Sequence, residues 1–151
     1  MSFVSKSKLL KLFNFWPPFF AAGIRIKKLS PDFRAVDVKM KLRFWNKNYV
    51  GTHYGGSLYS MTDPFYMLML IENLGPDYVV WDKAATIHFK RPGRGAVSAK
   101  FRLSQNQIEE IKNILETHSK YEPVFTVHVL DSEQKVICEV TKTLHIKKKN
   151  Q

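Results

Sequence analysis

The segment from Ser57 to Asn73 is apolar on nearly every side of a helix, with an unbroken apolar run from Pro64 to Ile71. A helix of this kind has to be surrounded by protein, because no face of it is suited to water. The run is far shorter than the roughly 20 residues that cross a bilayer, so no transmembrane segment is expected. The segment is therefore predicted to be a buried central helix, in which Met67, Leu68 and Ile71 are all inaccessible to solvent.

Six other stretches have the alternating apolar and polar residues of strands with one buried and one wet face. They are Ile24–Leu29, Ala35–Arg43, Ala84–Arg91, Ala96–Ser104, Pro123–Leu130 and Val136–Ile146. A short amphipathic helix is expected between the fourth and fifth stretches, with Asn106 as its N-cap and Glu109 as the reciprocal acid. Six mainly antiparallel strands and one early buried helix have few compact arrangements, and the sheet has to curl around the helix. This order of elements is that of the hotdog fold, an α+β architecture.

No repeat, low-complexity stretch or linker divides the 151 residues, and a single domain over 1–151 is expected. The formal net charge of +11 predicts a positive field that attracts polyanions, among them nucleic acid, an anionic membrane surface and coenzyme A. The basic residues are spread over strand positions and gathered in a tail at about 147–151. Because the chain lacks the aromatic and basic interleaving of single-strand binders, no nucleic-acid partner is expected.

An amphipathic helix is predicted at about 5–16, where Leu9, Leu12, Phe13 and Trp16 share one face. This face can pack on its own domain, on a partner subunit or on a membrane, and packing on protein is the commoner outcome. The lysines in this segment interrupt the apolar stretch that a secretion signal needs. Together with the single cysteine, which cannot form an internal disulfide, this favours a cytoplasmic protein.

The residues between Asn48 and Asp63 carry the candidate chemistry. Gly55-Gly56 precedes a helix, where the first backbone N–H groups have no partner within the helix and can stabilise an oxyanion. Asp63 follows Gly56 by seven residues, about two helical turns, so both are expected on one helix face and in one cleft. The residue types also allow Asp63 to be an N-cap, the glycines an ordinary turn, and Asn48 and His53 plain loop residues.

The string Asn48-x-x-Gly51-Thr52-x-x-Gly55-Gly56, followed by Asp63, resembles the signature of the phenylacetyl-CoA thioesterase group of the hotdog superfamily. The stretch is closer still to an uncharacterised thioesterase-like branch, and the segment 86–93 resembles the strand after the central helix. The resemblance implies that Asp63 is the general base or nucleophile and that Gly56 supplies an oxyanion-hole N–H. It implies that Asn48 positions the substrate or water.

The chain departs from that pattern at Tyr54, where the family has a histidine, and His53 stands one residue earlier. By the same resemblance, the phosphates of coenzyme A would contact Lys90, Arg91 and Arg94, whose residue types are equally typical of charges in a solvated turn. The remaining candidates for substrate binding are Gly55, Tyr54 and Thr62.

The function expected from these residues is that of an acyl-CoA thioesterase, which needs no metal or other cofactor. A non-catalytic protein that binds acyl-CoA or lipid is the alternative, because Tyr54 departs from the pattern. Hotdog subunits usually pair their sheets, so a homodimer or a dimer of dimers is expected. No stretch resembles the histidine-bearing motifs of dehydratases with this fold.

Overall fold

The computed structural model describes residues 6–149, which form five helices and six strands. The helices are α1 (Lys6–Phe15), α2 (Pro17–Ala22), α3 (Gly55–Ser60), α4 (Phe65–Leu74) and α5 (Gln105–Thr117). The strands are β1 (Ile24–Leu29), β2 (Ala35–Lys41), β3 (Tyr78–Phe89), β4 (Ala96–Arg102), β5 (Val124–Leu130) and β6 (Val136–Lys148).

All six strands join one curved antiparallel sheet in the order β1-β2-β4-β5-β6-β3. The alternation in the sequence sets the burial of each strand: in β2, Val36, Val38 and Met40 are buried, while the residues between them are partly exposed. The buried face packs against α4 and α5, and Phe65 and Tyr66 of α4 contact aromatic rings of β4 and β5. The predicted α+β fold is confirmed.

The central helix is not the single helix predicted over 57–73, because α3 and α4 are separated at residues 61–64. Pro64 has no N–H to donate and disfavours a helical residue before it, so the helix stops and restarts. Within α4, Met69 and Leu70 are buried.

The prediction that Met67, Leu68 and Ile71 are all inaccessible is wrong. Met67 and Leu68 are half-buried, and Ile71 is 39% exposed. The sheet covers one side of α4, and this covered side alone is fully buried.

The start of β3, the cap of α5 and the end of β6 also differ from the sequence-based predictions. β3 begins at Tyr78 rather than Ala84. α5 is capped by Ser104, whose hydroxyl accepts from the Gln107 N–H while the Gln107 side chain accepts from the Ser104 N–H, so the predicted cap at Asn106 is wrong. The first two lysines of the predicted basic tail belong to β6, and its last two residues lie outside the described range.

The N-terminal helix packs only part of its apolar face on the domain. Phe13 contacts the core, and the Asn14 side chain accepts a hydrogen bond from the Ile26 N–H of β1 at 2.8 Å. Leu12 and Trp16 are exposed. The expected packing on the same domain therefore holds for Phe13 and not for the whole face.

Candidate active site

A cleft of about 490 Å³ opens between the loop before α3 and the turn that follows β3. It gathers six of the ten predicted site residues in one place. Its lining includes Asn48, Thr52, His53, Gly55, Leu58, Phe89, Lys90, Arg91 and Arg94. A cleft with an apolar floor and a cationic rim is suited to an acyl group that carries a phosphorylated arm. Tyr54 and Gly56 are not lining residues, but they are the chain neighbours of Gly55, which is one.

The loop from Asn48 to Thr52 is closed by the asparagine itself. The Asn48 side chain donates to Thr52 Oγ1 and accepts from the Thr52 N–H, both at 2.9 Å. The backbone N–H of Asn48 also donates to the Thr52 carbonyl, and Gly51 takes the left-handed conformation that this tight loop requires. Asn48 therefore holds the loop that leads into α3, and its amide atoms are occupied by that task.

His53 is buried at the base of the cleft. Its Nε2 lies 2.9 Å from the Gly95 carbonyl, so this nitrogen carries a proton, and burial lowers the pKa of the ring from its usual value. Within residues 6–149, Nδ1 has no hydrogen-bond partner. The arrangement favours a neutral imidazole that ties the loop to the turn after β3.

The paired glycines each lie close to an aromatic ring. A Cβ on Gly55 would lie 3.0 Å from the Phe89 ring, and one on Gly56 would lie 2.5 Å from the Tyr54 ring. Tyr54 is the N-cap residue of α3, and its ring is exposed. Because this ring lies beside Gly56, it covers one side of the Gly56 backbone. The N–H groups of these glycines have no hydrogen-bond partner within the described part of the chain.

A second group of polar side chains, which we call the Lys142 cluster, comprises Lys142, Asp63, Asp82 and Tyr59. Lys142 is 0% exposed on the inner face of β6, and its Nζ lies 3.0 Å from Asp63 Oδ1 and 3.0 Å from Asp82 Oδ2. It also donates to the Asp63 carbonyl. The Tyr59 hydroxyl donates to Asp63 Oδ1 at 2.9 Å, and its ring lies beside the ammonium.

In the Lys142 cluster, burial and the neighbouring carboxylates shift the pKa of Lys142 in opposite directions. Burial acts to lower the pKa of Lys142, but hydrogen bonds and charges from Asp63 and Asp82 outweigh it and hold this pKa above its usual value. Burial raises the pKa of Asp82, and the contact with Lys142 offsets only part of that rise. Two carboxylates thus share one ammonium, and Asp82 Oδ1 is buried with no hydrogen-bond partner among the residues described.

Asp63 lies in the turn between α3 and α4 and is not a lining residue of the cleft in a single subunit. It does not cap α4 either, because the N-cap position is Pro64 and no side chain caps that helix. The Thr62 hydroxyl donates to the Tyr59 carbonyl at 2.7 Å and is fully buried, so it closes α3 rather than facing the cleft.

Among the cationic residues at the rim, Arg91 donates to the Val136 carbonyl at 3.0 Å, which fixes the turn after β3. Lys90 and Arg94 are exposed beside it.

Sequence reasoning did not identify Lys142, Asp82 or Tyr59. The signal for Lys142 is present, because it stands between Val140 and Leu144 in the inward phase of the alternation in β6. A lysine at such a position needs an acidic partner. Which acids supply it depends on the packing of α3 and β3, which the alternation does not give.

No three His, Cys, Asp or Glu side chains between residues 6 and 149 converge as a metal site would. No helix in this part of the chain is both long and apolar enough to span a membrane.

The sheet order and the helix pair on its inner face define the hotdog fold. Solved structures with this fold cover nearly the whole chain. A protein of unknown function from Pseudomonas aeruginosa, PA5026, described as a probable thioesterase, has 19% identity and a TM-score of 0.83 over 96% of this chain and 97% of its own. The thioesterase HI1161 from Haemophilus influenzae has 16% identity and a TM-score of 0.69 over 99% of this chain and 95% of its own.

The PaaI protein of the phenylacetic acid degradation operon of E. coli has 18% identity and a TM-score of 0.63, over 89% of this chain and 87% of its own. These likenesses confirm the fold that the sequence resemblance predicted. Residues 6–146 match the family described as a domain of unknown function (DUF4442), and the chain belongs to that family. No curated protein matches it in sequence.

Proposed function

We propose that this protein hydrolyses acyl-CoA thioesters, with Asp63 as the general base. The observation that carries the proposal is the state of the Asp63 carboxylate. Tyr59 and Lys142 hold Oδ1, whereas Oδ2 has no hydrogen-bond partner within residues 6–149 and the side chain is 50% exposed. One oxygen is therefore fixed and the other is free to accept a proton from water, as a positioned base requires.

The base and the cleft would meet across two subunits. Among residues 6–149, β3 pairs only with β6, so its other edge is open to them along a strand whose residues are largely exposed. Two copies that pair antiparallel along this edge bury it, which relieves an otherwise unpaired edge. If the two-fold axis lies near Thr86, Asp82 of one copy stands opposite Lys90 of the other, since each is four residues from Thr86. The Lys142 cluster of one subunit then lies beside the cleft of its partner.

In this arrangement the acyl group occupies the apolar floor of the cleft, and Lys90, Arg91 and Arg94 bind the phosphates of coenzyme A. The Gly56 N–H donates to the carbonyl oxygen as it gains charge. Because α3 has only six residues, its macrodipole adds little, and the N–H groups themselves supply the stabilisation. Water that gives its proton to Asp63 Oδ2 attacks the carbonyl carbon, and the thiolate of coenzyme A leaves.

The first test replaces the base. Asp63→Asn should keep the fold and lower turnover of a panel of acyl-CoA substrates by about 10²-fold or more, the contribution of a positioned acid–base group. Asp63→Ala should lose the same activity. Normal turnover of Asp63→Asn would rule out the assignment.

The second test separates the oxyanion donor from the space around it. Gly56→Pro removes the N–H at an early helical position where proline is tolerated, whereas Gly56→Ala keeps the N–H and adds the same contact with Tyr54. Relative to Gly56→Ala, Gly56→Pro should lower kcat by about 10²-fold or more. Equal rates for the two variants would exclude Gly56 as the donor.

A mixture of the two inactive variants tests the shared site. Hybrid dimers of Asp63→Asn with Gly56→Pro contain one site of two with both groups intact, so the purified hybrid should have about half of the wild-type activity. Recovery would depend on subunit exchange, so the variants are co-expressed and purified by two different tags. Absence of recovery in verified hybrids would place both groups of a site in one subunit.

A non-catalytic protein that binds acyl-CoA is the second candidate. It is favoured by Tyr54, which stands where the phenylacetyl-CoA thioesterase group has a histidine. It is also favoured by His53, whose ring is hydrogen-bonded to the Gly95 carbonyl. Calorimetric binding of acyl-CoA with no turnover in the wild type across the panel would select this function.

A further inference from the structure

A groove lined by cations crosses the outer face of β1 and β2. We call it the cationic groove. It is lined by Gly23, Arg25, Lys27, Lys39, Lys41, Arg43 and Trp45, with five basic residues and no acid. Arg25 and Lys39 are directly paired across the two strands, so their charges are held side by side by the sheet register.

The N-terminal part of the chain, to which β1 and β2 belong, holds most of the net charge. Between Lys6 and Thr62 the chain has eleven basic and two acidic residues, which accounts for nine of its eleven net positive charges. Both acids are already paired, Asp32 with Arg34 at 2.9 Å and Asp37 with Arg102 at 2.7 Å. The groove cations therefore keep a field that no nearby carboxylate neutralises.

Exposed apolar side chains flank the groove on both sides, and we call them the apolar rim. They are Leu12, Phe15, Trp16 and Phe20 on α1 and α2, and Phe44 and Trp45 after β2. Phe15 is 72% exposed and Phe44 81% exposed. The rim is joined to the groove by contacts: Phe15 stacks on Phe20, and the Arg25 guanidinium lies 5.3 Å from the Phe20 ring. On the other side the Arg43 guanidinium lies 5.8 Å from the Trp45 ring.

The sheet order places this surface away from the open strand. β1 and β3 are the two opposite edges of the sheet, and α1 packs on β1. Pairing of two copies along β3 would therefore leave the groove and its rim uncovered. A second copy is a poor occupant for the groove itself, because it would bring a surface of the same sign against it.

We propose that the cationic groove and the apolar rim bind the surface of an anionic lipid bilayer. Such a surface offers both chemistries side by side: phosphate and carboxylate headgroups for the five cations, and the boundary with the acyl chains for Leu12, Phe15 and the aromatic rings. Arginine and lysine beside aromatic rings are the side chains that lie at this depth. A nucleic acid would use the cations but would leave the aliphatic and aromatic rim of α1 in water.

The test is co-sedimentation of the protein with vesicles of phosphatidylcholine alone or of phosphatidylcholine mixed with phosphatidylserine, an anionic lipid of the cytoplasmic leaflet. Binding is expected only to the anionic vesicles, and it should weaken as salt shortens the Debye length. Each basic residue at such a surface contributes on the order of five-fold to partitioning, so Arg25→Glu/Lys39→Glu/Lys41→Glu should lower it by about 100-fold or more. The matched control reverses Lys120 and Lys135, which lie in loops, and Lys147 of β6, all outside the groove lining, and it should bind more tightly than the groove variant.

A second variant tests the rim. Phe15→Ser/Phe20→Ser keeps every charge and should bind anionic vesicles at least about ten-fold more weakly, because two exposed rings that would enter the bilayer boundary are lost. Circular dichroism verifies the fold of each variant, and a variant that is unfolded is replaced by Lys39→Gln or Phe44→Ser, which change single exposed side chains. Absence of vesicle binding, or equal loss in the groove and control variants, overturns the proposal. Binding of a single-stranded oligonucleotide that is lost in the groove variant while vesicles are ignored assigns the surface to nucleic acid instead.

Discussion

The Lys142 cluster allows a sharp test of its energetics, the replacement Lys142→Met. Methionine has a similar length and no charge, so it fills the space on the inner face of β6 while removing the ammonium. Asp63 and Asp82 would then face each other without the cation that lies 3.0 Å from each. The expected effect is a large loss of stability at neutral pH.

The magnitude follows from the burial of each partner. Removing one member of a fully buried ion pair costs about 3–5 kcal/mol, because the remaining charge stays desolvated. Lys142 and most of Asp82 meet that condition, whereas the side chain of Asp63 is 50% exposed and water screens its share. We therefore expect Lys142→Met to lower the free energy of unfolding by about 2–4 kcal/mol at pH 7.

The loss should depend on pH with a definite sign. Burial already raises the pKa of Asp82, and removal of Lys142 takes away the contact that offsets it. A carboxyl group whose pKa is higher in the folded state contributes stability below its unfolded value near 3.8, and loses this stability as pH rises through the folded value. The destabilisation caused by Lys142→Met should therefore be smallest at about pH 4 and should grow toward pH 7.

The assay is urea unfolding followed by far-UV circular dichroism at a fixed protein concentration, at pH 4, 5.5 and 7. The double variant Lys142→Met/Asp82→Asn is the matched control, because it removes the stranded charge and should recover at least about 1 kcal/mol at pH 7. If Lys142→Met is as stable as the wild type at all three pH values, the cluster does not carry the energy assigned to it here.

Three further outcomes are expected. Cys138 is buried and burial raises its pKa to about 12, so it should resist iodoacetamide in the folded protein and react fully in denaturant; fast alkylation of the folded protein would contradict its burial. The pKa of His53, followed by NMR, should lie below the usual histidine value of 6.5. The stability that the neutral ring contributes above pH 6.5 should be lost as pH falls through the lowered pKa. A pKa at the usual value would contradict the neutral ring. Leu70→Ala should lower the free energy of unfolding by about 2–5 kcal/mol, and Leu68→Ala clearly less, because Leu68 is only half-buried. Equal losses of stability on urea unfolding would contradict the orientation of α4.

Much of the fold is present in the sequence as alternation. In β2 and β6, residues two apart face the core, and their type alone shows which face is buried. The interruption of the central helix was also readable, because Pro64 stands inside the apolar run. The apolar run by itself gives no information on how the backbone turns within it, so it does not predict two separate helices.

The site was predictable only where its residues are adjacent in the chain. The loop from Asn48 to Gly56 forms one side of the cleft, and local residue types indicated it. Lys142 and Asp82 meet Asp63 through packing of strands that are far apart in sequence. The alternation places Lys142 inside, but the identity of its partners depends on the angle between α3 and the sheet.

The position of β3 has a consequence for the order in which the molecule can be assembled. In the part of the chain that the structure describes, β3 joins the sheet only through β6, which begins at Val136, well after β3 has ended at Phe89. During synthesis the ribosome therefore releases β3 long before its neighbour exists, and its open strand is exposed for that interval. Asp82 and Lys142 reach each other in the same late step. A ribosome stalled before residue 136 should hold a chain in which β1, β2 and β4 can pair, while the half of the molecule that bears the Lys142 cluster has no fixed shape.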